Sequence, residues 1–510
     1  MDTTCAETYE KLAAKRNSFL DRAQECAKVT IPTLIPDDNH SSFTRYPTPY
    51  QSVGARGVNN LASKLLLALL PPNSPFFRLA VDDYTLEEMA GDEAARAKVE
   101  EALNKIERSV MTEMETDGLR SPLFEGLKHL ITGGNVLLHL PKDGGARVFP
   151  LSRYVVKRDP MGNVLMAITK EEIAPNALPQ DIRELLDDEV KDEKVAIYTK
   201  IYRDGDKFKM YQEVNKTIIP DTQATYPVDK SPMLVLRWTR IDGEDYGRGY
   251  VEEYLGDLIS LEGLSKAVLE ASAASAKIVF MVNPNGTTRA ADIARAENGA
   301  IVNGNANEVT VLQAQKHADM RIAQETSREI GQRLSQAFLM NSSIQRSGER
   351  VTAEEIRYMA GELEDALGGV YSILSQEFQL PLVARVMDRM TKARRIPALP
   401  KGVVRPAIVT GLEALGRGHD LQKLQLFMQT LGQLGPDAMS MMNMGDLVSR
   451  VGTSLGIDMS GLVKSQEDLA AEQQEAMAMQ QEQMQQQQMM DMAKAAVPNA
   501  TKAIAEGGAE

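Results

Sequence analysis

The fold class rests on the segment VEEYLGDLISLEGLSKAVLEASAASA, residues 251–276. Its apolar residues recur at every third or fourth position, which predicts one amphipathic helix about 39 Å long at 1.5 Å per residue. The segment ends in alanines and serines alone, from 271 to 276, and such small side chains allow a neighbouring backbone to come close. Residues 317–341 have the same apolar spacing and predict a second long helix. The chain is therefore expected to contain two long helices that bracket an insert.

The residues between the two long helices predict a small β-containing module. A strand is expected over 277–283, and Pro284-Asn285-Gly286 is a turn signal. Residues 300–313 predict a second hairpin, centred on Asn303-Gly304-Asn305. We therefore expect a compact insert over 278–316.

The part of the chain that precedes Gly249 combines helices with antiparallel strands. Apolar residues at helical spacing cover 7–29, 53–70, 94–117 and 122–132. Short turns rich in Gly and Asp then separate strands predicted at 136–140, 147–151, 154–158, 164–169, 195–202, 207–214 and 233–239. These turns are too short for parallel crossovers, so the strands are expected to pair antiparallel. The fold class is therefore α+β and mainly helical, and GEDYGRG (243–249) is interpreted as a flexible lead into the first long helix.

The second long helix is followed by a polar break, NSSIQRSGER, at residues 341–350. Thr352 and Glu355 then form a capping-box pattern, which predicts that a helix restarts there and continues to about Pro381. Prolines at 397 and 400 mark a linker, and residues 421–457 predict a further helical block. The tail from 465 is rich in Gln and Met and is predicted to be disordered, or to become ordered only in an assembly.

Composition and missing motifs exclude several classes of protein. The net charge of −14 argues against tight binding of nucleic acid, because DNA affinity depends on Lys and Arg that neutralise phosphates. The cysteines, Cys5 and Cys26, form neither a CxxC pair nor a disulfide framework, which favours a reducing cytoplasm. We expect no signal peptide and no membrane segment, since the most apolar run, 65–70, is too short to span a bilayer. The chain lacks GxxxxGK[ST] and HExxH, so we expect no enzyme activity, cofactor or metal.

Several long stretches resemble the portal, or head-to-tail connector, family of short-tailed podovirus-type bacteriophages. They are YQSVGARGVNNLASKLLLALLPP (50–72), ITGGNVLLHLP (131–141), RYVVKRDPMGNVL (153–165), IDGEDYGRGYVEEYLGDLISLEGLSKA (241–267) and QRSGERVTAEEIRYMAGELEDALGGVYSILSQEFQLPLV (345–383). The resemblance implies a ring of subunits, usually about twelve, at one capsid vertex. Each subunit would contribute a wing, a two-helix stem, a clip, a tunnel loop and a crown.

The predicted elements can be assigned to these parts. The expected division is a wing (1–250), stem helix one (251–277), clip (278–316), stem helix two (317–341), tunnel loop (342–351), wing-return helices (352–420), crown (421–464) and low-complexity tail (465–510). In the tunnel loop, the residues expected to face DNA are Ser343, Gln345, Arg346 and Arg350. In the stem, the residues expected to pack are Ala271, Ala274, Leu334 and Phe338. In the clip, the residues expected to contact partners are Asn285, Arg289, Asn303 and Asn305.

The resemblance also implies a function and a set of partners. The ring would be the channel for genome packaging and ejection, and double-stranded DNA would pass through it without base reading. Its protein partners would be other copies of the chain, the terminase motor, tail adaptor or nozzle proteins, the major capsid protein, scaffold and internal core proteins. The location would be the virion, after assembly in the host cytoplasm.

Several alternatives stay open at this level. One alternative is another ring-forming tail adaptor, and another is an enzyme without a recognisable motif. Arg346 or Arg350 could pair with Glu349 or Glu354, or pack between subunits, instead of touching DNA. The small residues at 271–276 could serve close packing within one subunit.

Overall fold

The computed structural model describes residues 4–37, 43–72, 75–81, 93–178, 180–183, 194–275, 279–312, 317–340, 363, 366–370, 373–400, 404–408 and 429. The chain divides into two compact units, 1–414 and 415–510. The elements below all belong to the first unit.

The described helices include those predicted at 7–29, 53–70, 94–117, 122–132, 251–276 and 317–341, to within a few residues, and three for which no bounds were predicted, at 180–183, 290–295 and 380–392. They are α1 (Cys5–Lys28), α2 (Val53–Leu69), α3 (Glu93–Thr116), α4 (Arg120–Gly133), α5 (Gln180–Arg183), α6 (Tyr250–Glu253), α7 (Leu255–Ser275), α8 (Ala290–Arg295), α9 (His317–Ala337) and α10 (Leu380–Lys392). A capping box starts α1, where Thr4 Oγ1 accepts from the Glu7 amide and the Glu7 side chain accepts from the Thr4 amide. The first long helix is broken once, at Tyr254 between α6 and α7.

The strands predicted before Gly249 are also present, together with others. The strands are β1 (Phe77–Val81), β2 (Asn135–His139), β3 (Arg147–Phe149), β4 (Tyr154–Arg158), β5 (Val164–Ile173), β6 (Val195–Asp204), β7 (Lys207–Val214), β8 (Thr217–Ile218), β9 (Ala224–Pro227), β10 (Met233–Arg237), β11 (Val279–Val282), β12 (Val309–Leu312) and β13 (Val404–Ile408). The described pairings are antiparallel, which confirms the pairing expected from the short turns.

Two of the sheets organise the N-terminal half. One has the order β10-β2-β3, and the other has the order β4-β5-β6-β7-β8, with β9 also paired to β7. The largest core lies where α2 and α4 pack against the three-stranded sheet β10-β2-β3, the N-terminal part of α7 and the C-terminal part of α9. Trp238 is fully buried in this core. Smaller cores cover the two faces of the six-stranded sheet, one of them built by Tyr9 and Leu12 of α1.

Two sequence predictions are wrong in detail. Residues 300–305 form no hairpin, because β12 pairs back with β11 and the loop is closed by the Asn305 amide, which donates to Thr288 Oγ1 at 2.8 Å. The region 352–420, assigned to wing-return helices with a linker at Pro397 and Pro400, also contains strand β13, which was not predicted and pairs with β1. Pro406 is tolerated in this strand because a two-stranded sheet leaves each strand an open edge.

Among the described residues, no helix has the length and apolar character that a membrane span requires.

Candidate functional site at the two long helices

The helices α7 and α9 form an antiparallel pair, here called the helix pair. Near one end, Arg333 Nη2 lies 3.3 Å from Asp257 Oδ1. Near the other end, Ser275 Oγ lies 4.0 Å from Met320 Sδ. Strands β11 and β12 pair immediately beyond that second end. The predicted arrangement of two helices bracketing a β-containing insert is therefore present.

The helix pair is sparsely covered by the rest of its own chain. On α7 only Leu258 and Leu261 are buried. Ile259 and Leu269 are 54% and 57% exposed, and Ile322 on α9 is 65% exposed. A helix with apolar side chains on several sides is usually buried, so this exposure is unusual for a helix of an isolated chain.

The insert, called here the inserted module (279–312), also exposes apolar side chains. Large apolar side chains exposed in it are Val279, Phe280, Met281, Ile301, Val302 and Val311. The module has no buried apolar core of its own among the described residues. It is held instead by polar contacts, in which Glu308 accepts from the amide and the hydroxyl of Thr288 at 2.9 and 2.8 Å.

The predicted clip-contact residues lie on the surface of the inserted module. Asn285, Arg289, Asn303 and Asn305 are all exposed. The Asn305 side chain caps a short turn by accepting from the Asn307 amide, so this residue also has a structural task. The structure thus places the four residues on one module and leaves their side chains accessible, except for the contacts made by Asn305.

The four predicted stem residues separate into two pairs. Leu334 and Phe338 are fully buried at the end of α9. Ala271 is half-buried and Ala274 is exposed in the single chain. The first pair therefore packs inside one subunit, and Ala274 faces away from its own subunit's core.

The helix pair is attached to the rest of the subunit by an aromatic cluster, called here the root. It consists of Trp238, Tyr250, Tyr254 and Phe338, whose neighbouring ring centroids lie 5.1 to 5.9 Å apart. The Tyr250 hydroxyl donates to the Ala337 carbonyl at 2.8 Å. Helix α2 passes so close to the root that a Cβ on Gly57 would lie 2.5 Å from Phe338 Cγ. The root therefore fixes the helix pair by close packing.

Polar side chains of α2 hold the last residues of the α9 segment. Asn60 Nδ2 donates to the carbonyls of Phe338 and Leu339 at 2.9 and 3.1 Å, and Lys64 Nζ donates to Leu339 at 2.8 Å. Such donors satisfy carbonyls that the end of a helix leaves unpaired. The chain is thus fixed just before residue 341, and the predicted tunnel-loop residues Ser343, Gln345, Arg346 and Arg350 lie outside the described residues.

Glycines make the backbone junction that leads into α6 and α7. Gly134, at φ 72°, would place a Cβ 2.3 Å from the Arg248 carbonyl carbon, and Gly249 would place one 2.6 Å from the Thr132 oxygen. The Asn135 side chain spans the same gap, accepting from the Gly247 amide and donating to its carbonyl at 2.8 and 2.7 Å. Residues 243–249, interpreted from sequence as a flexible lead, therefore end in closely packed backbone.

Sequence reasoning missed a buried polar link between the N-terminal half and residues 375–379. Arg237 is 1% exposed, and its Nη2 lies 2.7 Å from Glu377 Oε1, in a π-helical turn (Ser375–Gln379). Arg158 lies nearby and donates to the carbonyls of Gly162 and Val235. Burial lowers the pKa of the Arg158 guanidinium to about 10. The isolated arginines gave no signal in the sequence, because their partners are distant along the chain.

Within the described part of the chain, no group of three or more His, Cys, Asp or Glu is placed to hold a metal ion.

Comparison with known proteins gives one consistent result. Residues 2–463 match the family described as bacteriophage head to tail connecting protein. The chain is 45% identical to the portal protein of Enterobacteria phage T3, over 98% of this chain and 92% of that protein. It is also 45% identical to the portal protein of Escherichia phage T7, over 90% of this chain and 88% of that protein. The portal protein of Enterobacteria phage SP6 is 32% identical, over 91% of this chain and 90% of its own length.

Proposed function

The chain belongs to the bacteriophage head to tail connecting protein family, as a podovirus portal protein, and from this premise we propose that its copies form a ring at one capsid vertex. The ring would have about twelve subunits, in keeping with the closed symmetry of most homo-oligomers. DNA would pass through its centre during packaging and ejection. The relatives at 45% identity are portal proteins, which favours this role over that of another tail adaptor.

The exposed helix pair is the observation that carries the proposal. A long antiparallel pair with Ile259, Leu269 and Ile322 more than half exposed is poorly suited to an isolated monomer. Side-by-side packing of such pairs around an axis would bury these residues and leave a channel along the axis. The small side chains near Ala274 would allow neighbouring pairs to approach closely.

The parts expected from the sequence are retained in the proposal. The α+β region is the wing, the helix pair is the stem and the inserted module is the clip, which would meet the motor during packaging and tail proteins afterwards. The exposed apolar residues of the module, Phe280 and Met281 among them, suit that role. Capsid, scaffold and internal core proteins would contact the other parts of a ring that is built in the host cytoplasm and kept in the virion.

The charge of the second long helix suits passage of DNA. Exposed Arg321 and Arg328 alternate with exposed Glu325 and Glu329 on α9. Affinity for DNA rises with every phosphate that a protein neutralises, so a surface with balanced charge keeps contacts weak and sensitive to salt. A channel wall of this kind would let the duplex slide.

Replacing Arg346 and Arg350 together with alanine should impair packaging or retention of the genome while rings still assemble. Both arginines lie in the polar break after α9, which we expect to point into the channel, where they would contact phosphates. The measurement is DNA content of particles assembled with the variant, with ring formation followed by electron microscopy. The matched control replaces Arg108 and Arg203, exposed arginines of the wing, with alanine. Normal packaging and retention in the tunnel-loop variant would refute this role.

Replacing Ala274 with tryptophan should prevent ring formation without unfolding the subunit. Ala274 is exposed in the single chain, so a larger side chain has room there until a neighbouring stem packs against it. Sedimentation and electron microscopy would give the oligomeric state, and circular dichroism the fold. Ala102→Trp, at an exposed position of α3, is the control and should leave rings intact. Unchanged rings in Ala274→Trp would contradict close approach of neighbouring stems at this position.

A further inference from the structure

One face of the six-stranded sheet carries a cluster of lysines and tyrosines, called here the lysine face. The register puts Lys157, Met166, Tyr202 and Lys209 in one row across β4, β5, β6 and β7. Lys200 and Tyr211 pair in the next row. Lys207 lies two residues before Lys209 on β7 and therefore on the same face of the sheet. The lysine face therefore consists of Lys157, Lys200, Lys207, Lys209, Tyr202 and Tyr211.

Helix α1 covers only the other part of this sheet face. Its first residues reach as far as Tyr211, where Cys5 Sγ lies 3.5 Å from the Tyr211 hydroxyl. Tyr9 packs against Tyr198 with ring centroids 5.6 Å apart. Beyond this contact Lys157, Lys207 and Lys209 are exposed, and the remaining members are half-buried. The core under α1 thus reaches Met166 and Tyr211 at the edge of the lysine face but leaves Lys157, Lys207 and Lys209 uncovered.

The charge of the lysine face is opposite in sign to that of the whole chain. The carboxylate in these rows is Asp204, whose Oδ2 lies 2.5 Å from Lys209 Nζ. Glu213 is farther along the face, under α1, and accepts from the Cys5 amide at 2.8 Å. The Lys200 amine lies 5.5 and 5.8 Å from the ring centroids of Tyr202 and Tyr211, so the rings support its position. A protein with a net charge of −14 therefore has a local cationic surface here.

We propose that the lysine face binds the phosphate backbone of duplex DNA on the outside of the ring. Lysine is depleted in the buried centres of protein–protein interfaces, whereas an exposed ammonium is an effective point-charge partner for phosphate. Adjacent strands lie about 4.8 Å apart, so the row from Lys157 to Lys209 spans roughly 14 Å of the sheet, wide enough to follow part of a duplex. Tyrosine hydroxyls also donate to phosphates. This contact is separate from the proposed channel and needs no threading of DNA.

The contact is expected to be weak, without sequence preference and dependent on salt. Lysines that contact phosphates carry no base information. Each neutralised phosphate contributes about −0.9 to the slope of log affinity against log salt. Lys209 is paired with Asp204, so the three other lysines of the lysine face predict a slope of about −3. Such binding would hold packaged DNA against the wing loosely enough for it to be released.

The test uses a covalently closed circular duplex, because a closed circle cannot thread a preassembled ring. Purified full-length protein should bind the labelled circle at low salt, with the expected slope. The triple variant Lys157→Gln, Lys200→Gln and Lys209→Gln should bind it at least about tenfold more weakly, through loss of up to three phosphate contacts. The control triple, Lys15→Gln, Lys28→Gln and Lys142→Gln, removes the same charge from exposed positions elsewhere and should keep wild-type affinity.

Three results would overturn the proposal. The first is that the wild-type protein does not bind the circle. The second is that the control triple loses as much affinity for the circle as the lysine-face triple. The third is binding of polyglutamate but not of DNA, which would assign the lysine face to an acidic protein. Electron microscopy of the same samples separates this proposal from the proposed function. Rings that do not bind the circle would contradict only DNA binding by the lysine face. A protein that binds the circle without forming rings would contradict only the proposed ring assembly.

Discussion

Replacing Phe338 with alanine should lower the free energy of unfolding by about 3–5 kcal/mol, the usual loss for a large buried aromatic residue. Phe338 is fully buried in the root, where it packs edge-on against Tyr250 with centroids 5.7 Å apart. Its loss would leave a cavity between α2 and the helix pair. Denaturant unfolding can be followed by the fluorescence of Trp238, the single tryptophan, which contacts Tyr250 in the same cluster.

The close approach of α2 makes this prediction more specific. Gly57→Ala should cost about 1–3 kcal/mol, because the added methyl group would overlap the Phe338 ring. In the Phe338→Ala background that overlap is gone, so the two losses should not add. Gly331→Ala is the control in α9, since a Cβ there meets nothing within 4 Å. It should be neutral or stabilise by about 1 kcal/mol through helix propensity. Additive losses at 57 and 338 would contradict the described packing of the root.

Replacing Gly134 with alanine should destabilise the subunit by about 3 kcal/mol or more. Two costs combine, a left-handed backbone at φ 72° and a Cβ that would lie 2.3 Å from the Arg248 carbonyl carbon. The backbone cost alone is about 1–2 kcal/mol for a residue with a Cβ. The overlap with main chain adds to it, because backbone at this junction has little room to move.

Gly145→Ala is the matched control for that variant. Its φ of 74° is nearly the same, but a Cβ there meets nothing within 4 Å. It should therefore show only the backbone cost of about 1–2 kcal/mol. The difference between the two variants measures the overlap at the junction. Equal unfolding free energies would mean that the junction at Gly134 is looser than described.

Local elements of this fold could be predicted from sequence because their determinants are local. The apolar spacing of 53–70 gave α2, and the turn at Asp204-Gly205-Asp206 gave the hairpin of β6 and β7. Strand β13 was missed because its partner β1 lies more than 300 residues earlier in the chain. Short strands of a two-stranded sheet carry little signal until the partner is known.

The candidate site was predictable in outline but not in its contacts. The two long helices and their insert followed from periodicity, and Leu334 and Phe338, which were expected to pack the stem, are buried within the single chain. That Phe338 would meet Gly57 and Tyr250 could not be read from spacing, since three distant segments converge there. Residues 243–249 were interpreted as flexible, although Gly247 and Gly249 let two backbones pass at close range.

The central claim is that copies of this chain assemble into an open ring. Electron microscopy of the purified protein, with particles viewed down the symmetry axis, tests it most directly. The account predicts rings of about twelve subunits around an open hole, with the helix pairs nearest the axis. A compact, closed oligomer without a central hole would contradict it.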